Sequence, residues 1–147
     1  VRAGEEIAAK MMQRRRFSNN DRETVSALIH YHMVFMNVQK MRPGRLKRFL
    51  RMPDFNLHLE LHRLDCLASH GLLDNYDFCV GQLRYLDEED LHPTRLLTGH
   101  DLIAMGFAEG KIIGKIIAAL EEEQLEGRIG TKEEAIRFVR GIQDNQP

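Results

Sequence analysis

The sequence lacks several features that would place it in a common protein class. Its 147 residues contain no Trp and two cysteines, and no apolar run approaches the ~20 residues needed to cross a bilayer. Cys66 and Cys79 stand apart without a CxxC pair, which disfavours a zinc ribbon or a thioredoxin-type site. We interpret them as two reduced core thiols. With no basic-then-apolar secretory signal at the start, we expect a cytoplasmic protein without a membrane partner.

Strand patterns are also lacking, whereas apolar residues recur at helical spacings along most of the chain. We therefore predict an all-α fold: a multi-helix body followed by a small helical tail with a helix-hairpin-helix-like turn. The stretch Leu91–Thr98, which contains Pro93, is the best candidate boundary. It divides the chain into a body over residues 1–92 and a tail domain over residues 93–147.

Local signals predict several helix ends and one buried stripe. Ser18 with Asp21, and Thr131 with Glu134, resemble capping boxes at helix starts. A helix over residues 75–90 would end in four carboxylates, the wrong sign for its dipole, so we expect that end to fray or to serve as a linker. The helix that follows Pro53 carries a predicted apolar stripe of Leu57, Leu61, Leu64 and Leu67.

The net charge of −1 conceals a segregation of charge along the chain. Residues 1–52 carry twelve Lys/Arg against four Asp/Glu, and residues 53–147 carry nine against eighteen, so the two parts have net charges of +8 and −9. A segregated charge of this size favours a polyanionic partner for the first third of the chain, without identifying that partner.

A basic cluster provides the first candidate site. It contains six cations in twelve positions with no acidic residue among them: Lys40, Arg42, Arg45, Lys47, Arg48 and Arg51. Such a patch could neutralise several phosphates of a nucleic acid. The alternative is a solvated helix face with Leu46, Phe49 and Leu50 turned inward. A second run, Arg14–Arg16, ends the first helical segment, where the helix dipole already explains the presence of cations.

A glycine-rich turn provides the second candidate site. Residues 106–110 lead into a helix in which Gly110 and Gly114, and likewise Lys111 and Lys115, lie one turn apart. A glycine-rich turn before a helix exposes backbone N–H groups to an anion, and the two lysines could both touch a phosphate. The alternative is that the glycines form an ordinary turn and that Gly114 admits a neighbouring helix.

Two blocks of sequence carry a resemblance to a known family. They are LHLELHRLDCLASHG at residues 57–71, and LLTGHDLIAMGF at residues 96–107 with its continuation to Gly127. Both blocks resemble the body and tail of the bacterial tRNA nucleotidyltransferases that add CCA to tRNA, and of the related bacterial poly(A) polymerases. The resemblance extends over most of the chain and includes residues 16–19, 38–42 and 46–50.

The resemblance implies an RNA-binding C-terminal region without catalytic or metal-binding residues of its own. In this family an N-terminal head binds two Mg²⁺ ions and the nucleotide triphosphate through a Gly-Ser pair and paired aspartates. This chain has no Gly-Ser pair and no Asp-x-Asp, and it begins with Val rather than Met, so we expect a fragment that lacks the head. It would position tRNA or another RNA 3′ end for the head of the same polypeptide, and by itself it would be inactive.

Two functions of other classes remain open. His58 and His62, at i and i+4, could join His30, His32 and Asp65 in a metal-dependent, HD-type phosphohydrolase. The sequence between the pair gives His-x-Glu-x-His, however, which differs from the His-Glu-x-x-His of metalloproteases. A helical protein-interaction module is the third possibility, and it predicts no affinity for RNA.

Overall fold

The computed structural model describes residues 2–144, and over this range the predicted all-α fold is confirmed, with no strand. A 3₁₀ segment, His32–Lys40, follows the second helix directly. The helices are α1 (Arg2–Arg14), α2 (Asn19–Tyr31), α3 (Pro43–Leu50), α4 (Phe55–Ser69), α5 (Asp74–Tyr85), α6 (Glu88–Leu91), α7 (Gly99–Ala104), α8 (Lys111–Leu125) and α9 (Lys132–Asp144). None of these helices is long and apolar enough to span a bilayer.

Both predicted capping pairs lie at helix starts. The Ser18 hydroxyl accepts a hydrogen bond from the N–H of Asp21 at 3.1 Å and opens α2. At α9 the contact is reciprocal, because the Glu134 carboxylate accepts the N–H of Thr131 at 3.0 Å and the Glu134 N–H donates to the Thr131 hydroxyl at 3.3 Å. These bonds satisfy backbone donors that a helix start otherwise leaves unpaired.

The predicted helix over residues 75–90 is wrong at its C-terminal end. Helix α5 ends at Tyr85, and Asp87 starts the separate helix α6 by accepting the N–H of Asp90 at 2.8 Å. The Asp90 carboxylate accepts the N–H of Asp87 in return. The acidic run therefore occupies a helix N-terminus, where negative charge is favourable, rather than a C-terminus.

The described residues form two compact units. The first comprises the chain up to Met41 together with Met52–Tyr85, and so contains α1, α2, the 3₁₀ segment, α4 and α5. Phe35 lies at its centre, fully buried, with the His62 ring stacked on it at a centroid distance of 4.5 Å and Phe55 at 6.0 Å. Cys66 and Cys79 are buried in this unit as free thiols, and Cys66 Sγ lies 3.6 Å from His62 Nε2.

The predicted leucine stripe of α4 is wrong. Leu57, Leu64 and Leu67 are each 51% exposed, and the helix instead buries a face made of Phe55, His58, Leu59, His62 and Cys66. The sequence of α4 has apolar residues on more than one face, so its periodicity alone does not choose between them. His62, which stacks on Phe35, lies on the face that is buried.

The second unit comprises Arg42–Arg51 and the chain from Leu86 onwards, and so contains α3 and α6 to α9. Its hydrophobic core draws on α7, α8, α9 and their connections: Leu97, Leu102, Phe107, Ile116, Leu120, Ile129, Ala135 and Val139. The predicted functional division between residues 92 and 93 stays a prediction. The packing groups the chain differently, because α3 contacts α8.

Candidate nucleic-acid interface

The turn between α7 and α8, which we call the hairpin turn (Gly106–Gly110), is closed by backbone hydrogen bonds at its first two residues. The Phe107 N–H donates to the Leu102 carbonyl at 3.2 Å, and the Gly106 N–H donates to the Ile103 carbonyl at 2.9 Å. Gly106 has φ +100°, a conformation that a residue with a Cβ rarely adopts. Phe107 and Leu102 are both buried, so the start of the hairpin turn is anchored in the hydrophobic core of the second unit.

The last residue of the hairpin turn leaves the start of α8 open. Gly110 is the N-cap of α8 with φ +129°, and it offers no side chain to the first N–H groups of the helix. The N–H of Ile113 donates to the Gly110 carbonyl at 3.2 Å, whereas the N–H groups ahead of it have no intrahelical partner. The helix dipole places partial positive charge there. The geometry is therefore suited to an anion, as the glycine spacing predicts.

Both lysines of the candidate site face solvent. Lys111 and Lys115 are exposed, and neither has a carboxylate partner among the described residues. A Cβ placed on Gly114, between them, would meet nothing within 4 Å, so no neighbouring helix occupies that position in the described structure. One exposed carboxylate, Glu109, lies in the same turn and leaves a local charge of +1 over residues 106–115.

The basic cluster is in a different situation, because four of its six cations meet carboxylates of the second unit. The Lys47 ammonium lies 3.0 Å from Asp90, and Arg51 lies 2.5 Å from Glu121 while also donating to the Leu91 carbonyl at 3.0 Å. The remaining pairs are Arg48 with Glu122, and Arg42 with Glu126 at 3.9 Å. Much of the positive charge of the cluster is thus compensated within the protein.

Contact with these cations lowers the pKa values of two of the carboxylates, Asp90 and Glu122. The hydrogen bond from Lys47, followed by one from the Asp87 backbone, lowers the pKa of Asp90. Arg48 lowers the pKa of Glu122 mainly through its hydrogen bond. Lys47 and Arg51 are only 17% and 19% exposed, so both contribute to the packing of α3 as well as to its charge.

Three members of the basic cluster remain accessible to a ligand. Lys40 and Arg45 are exposed and have no ion pair among the described residues. Arg42 is 73% exposed despite its distant contact with Glu126. Lys40 belongs to the first compact unit, and Arg42 and Arg45 belong to the second.

The acidic partners of the basic cluster were not predicted from the sequence. Glu121, Glu122 and Glu126 lie in or just after the last two turns of α8, far along the chain from residues 40–51. The sequence does contain an indication that these carboxylates have cationic partners. Carboxylates near a helix C-terminus face the negative end of the helix dipole, and cations from elsewhere in the chain stabilise them. A similar acidic run at residues 87–90 supplies Asp90.

The histidines proposed for a metal-dependent hydrolase have separate partners. His30 bonds Glu5 at 2.9 Å and His32 bonds the Ile29 carbonyl at 2.6 Å. Burial lowers the pKa values of His58 and His62, against smaller opposing effects of Asp54 and Asp65. Among the side chains that the structure describes, no group of three or more His, Cys, Asp or Glu residues has the geometry to hold a metal ion.

Comparison with known proteins tests the resemblance. A family model for tRNA nucleotidyltransferase domain 2 matches residues 87–139. A CC-adding tRNA nucleotidyltransferase of Thermus thermophilus is 33% identical over 138 residues, or 92% of this chain. The chain is thus similar to a part of the tRNA nucleotidyltransferases. The predicted resemblance is thereby confirmed, and the family model covers the hairpin turn, Lys111 and Lys115.

The chain covers 31% of the length of its Thermus thermophilus relative. No solved structure matches it. The similarity therefore concerns a part of a tRNA nucleotidyltransferase. It includes α3, whose cations pair with Asp90 of α6, with Glu121 and Glu122 of α8, and with Glu126 just after α8.

Proposed function

We propose that this chain binds RNA, with tRNA as its main partner, and positions the RNA 3′ end for nucleotide addition by a catalytic head of the same polypeptide that lies outside these residues. The homology to a CC-adding tRNA nucleotidyltransferase favours tRNA over other RNA ends. The head would supply the Mg²⁺ and nucleotide triphosphate sites. The present chain would contribute affinity and orientation.

One observation carries the proposal: two exposed lysines without carboxylate partners stand at the open start of α8. Lys111 and Lys115 can contact consecutive phosphates because they lie one helical turn apart. Gly110 and Gly114 leave the backbone accessible between them. N–H groups, partial positive charge and two ammonium groups thus converge on one small surface, which suits a phosphate backbone.

The kind of recognition follows from the chemistry of this surface. It offers charge and backbone donors but few groups able to read base edges, so it should bind RNA through phosphates and shape. Such recognition is usual for A-form helices, whose major groove is too deep and narrow for side chains. Lys40, Arg42 and Arg45 are the members of the basic cluster available for further phosphate contacts.

Binding of fluorescently labelled tRNA at low salt tests the proposal. We expect the double variant Lys111→Glu/Lys115→Glu to lose most of the affinity of the chain. The matched control is Arg137→Glu/Arg140→Glu, which changes the net charge equally at two exposed positions of α9. Equal losses for the two double variants would mean that binding depends on net charge alone, and the proposed surface would then be wrong.

A further inference from the structure

Three consecutive arginines and a phenylalanine form the end of α1 and the connection to α2; we call this segment the arginine turn (Arg14–Phe17). Its backbone is held by two hydrogen bonds, from the Arg16 N–H to the Gln13 carbonyl and from the Phe17 N–H to the Met12 carbonyl, both 3.1 Å. This is the usual closure of a helix C-terminus, in which the residue at position 16 must be left-handed.

The residue in the left-handed position is an arginine rather than a glycine. Arg16 has φ +57°, which costs free energy for any residue with a Cβ. The helix dipole accounts for cations in the last turn, such as Arg14, but its effect falls off beyond that turn. Closure of the helix therefore does not require a cation at position 16, and a glycine would serve it better.

The positive charge of the arginine turn has no compensating carboxylate among the described residues, and the turn carries an exposed aromatic ring. Its three arginines are exposed without carboxylate partners among the described residues, and Phe17 is 48% exposed. Residues 10–22 contain five cations and one carboxylate, Asp21, which accepts a hydrogen bond from Ser18 at 2.7 Å. An apolar residue is common at the position that Phe17 holds in such a closure, but half of the Phe17 ring remains in solvent.

We propose that the arginine turn binds unpaired RNA nucleotides, with its guanidinium groups on phosphates and the Phe17 ring stacked on a base. Guanidinium groups present several donors to a phosphate in a fixed plane, and an aromatic ring stacks on any base without regard to sequence. The inference rests on the proposed RNA-binding function. It adds a class of substrate, single-stranded RNA, and a surface that belongs to the first compact unit.

An anionic membrane surface would share part of this chemistry, because α1 also exposes Ile7 and Met11. Helix α1 carries Glu5 and Glu6 near its start, however, and anionic lipid headgroups would repel both. The stacking of a base uses the ring of Phe17 specifically, whereas membrane insertion uses only its hydrophobicity. This difference separates the two partners experimentally.

The test uses the whole chain and two labelled probes, a single-stranded RNA of about eight nucleotides and a blunt RNA duplex. Phe17→Leu keeps an apolar residue at position 17 but removes the aromatic face. We expect it to weaken single-stranded RNA binding about tenfold, equal to ~1.4 kcal/mol, and to leave duplex binding unchanged. Arg16→Gly should weaken binding of the single-stranded probe while raising the thermal stability of the chain, so that loss of binding cannot be ascribed to unfolding.

The outcomes separate this inference from the proposed function. Suppose that Phe17→Leu loses affinity for single-stranded RNA while Lys111→Glu/Lys115→Glu leaves tRNA affinity unchanged. This result would support binding by the arginine turn and overturn binding by the hairpin turn. Unchanged single-stranded affinity in Phe17→Leu, or no such affinity in the unmodified chain, would overturn the arginine turn even if tRNA binds. The inference would also be overturned if the chain binds phosphatidylserine-containing vesicles, and this binding survives Phe17→Leu and is lost in Arg16→Gly, while neither variant changes RNA affinity.

Discussion

The side chain of Glu126 occupies the space that a Cβ atom on residue 44 would need. A Cβ on Gly44 would lie 2.9 Å from Glu126 Oε1 and 3.0 Å from its Cγ. The Glu126 side chain is only 5% exposed, and Oε1 has no hydrogen-bond partner among the described residues. Its carboxylate lies at the first turn of α3, where the helix dipole stabilises negative charge. Close approach of α3 to this carboxylate therefore depends on a glycine.

Alanine substitutions of two helical glycines should have opposite effects on stability. We expect Gly44→Ala to lower the free energy of unfolding by about 1 kcal/mol, because the buried Glu126 side chain must move. Gly114→Ala is the matched control, and it should raise the free energy by about 0.5–1 kcal/mol, since nothing occupies the space around its Cβ. Urea denaturation measures both.

A double-mutant cycle assigns the effect of Gly44→Ala to its cause. In a Glu126→Ala background, the added methyl group at position 44 has room, and the substitution should become neutral or stabilising. If Gly44→Ala is equally destabilising with and without the Glu126 side chain, the contact between these residues is not the reason.

Neutralising two carboxylates of α8 should increase the affinity of the chain for RNA. Glu121→Gln/Glu122→Gln removes the charges that face Arg51 and Arg48, and it leaves both arginines available to phosphates. We expect tighter tRNA binding and a salt dependence steeper by up to ~2 in log–log slope. The same change should lower stability by about 0.5–2 kcal/mol, the sum of two partly exposed ion pairs.

Glu133→Gln serves as a control that removes one charge, since Glu133 is an exposed carboxylate of α9 without an ion pair among the described residues. It should alter RNA affinity little. Unchanged affinity in Glu121→Gln/Glu122→Gln would show that Arg48 and Arg51 serve the packing of α3 only, and would remove them from the predicted RNA-binding residues.

Mild acid should destabilise the first compact unit through its buried histidines. Burial lowers the pKa values of His58 and His62 below their ordinary 6.5, so the unfolded chain binds more protons than the native chain in this range. The free energy of unfolding is therefore retained above about pH 6.5 and falls as the pH decreases below it. Denaturation between about pH 7.5 and about pH 5.5 measures the effect.

The variant His58→Gln/His62→Gln should flatten this pH dependence, and the exposed His100→Gln serves as the control. The nearby charged groups Asp54, Asp65 and His70 remain in place in both variants. An identical pH dependence in the double variant and the unmodified chain would show that the buried histidines are not its source.

Both thiols should be unreactive in the native protein. Burial raises the pKa of Cys79 to about 12 and raises that of Cys66, so the nucleophilic thiolate is scarce at neutral pH. We expect a thiol reagent such as dithionitrobenzoate to modify both residues only as fast as the first unit opens. Rapid labelling of either cysteine under native conditions would contradict the buried positions.

Local chemistry made part of the structure predictable. Capping pairs such as Thr131 and Glu134 fixed helix starts, because their hydrogen bonds form between residues three apart. The hairpin turn was predictable for the same reason: Gly106 and Gly110 are needed by the backbone itself. The Lys111 and Lys115 pair followed from helical spacing alone.

The remaining features depend on tertiary partners that local sequence does not specify. In α4, periodicity allowed a leucine face, but packing around Phe35 buried His58 and His62 instead. The basic cluster contains no acidic residue, yet its compensating carboxylates come from positions 90 to 126, which only the fold brings near. Composition predicts that such cations need partners, but it does not distinguish a phosphate from a carboxylate.

The salt dependence of tRNA binding tests the central claim most directly. The slope of the logarithm of affinity against the logarithm of salt concentration counts the phosphates that the chain neutralises. We predict that Lys111→Ala/Lys115→Ala weakens tRNA binding and reduces the slope by about 1–2, whereas Arg137→Ala/Arg140→Ala leaves it nearly unchanged. A slope that is the same in the lysine variant and the unmodified chain would contradict RNA binding at the start of α8.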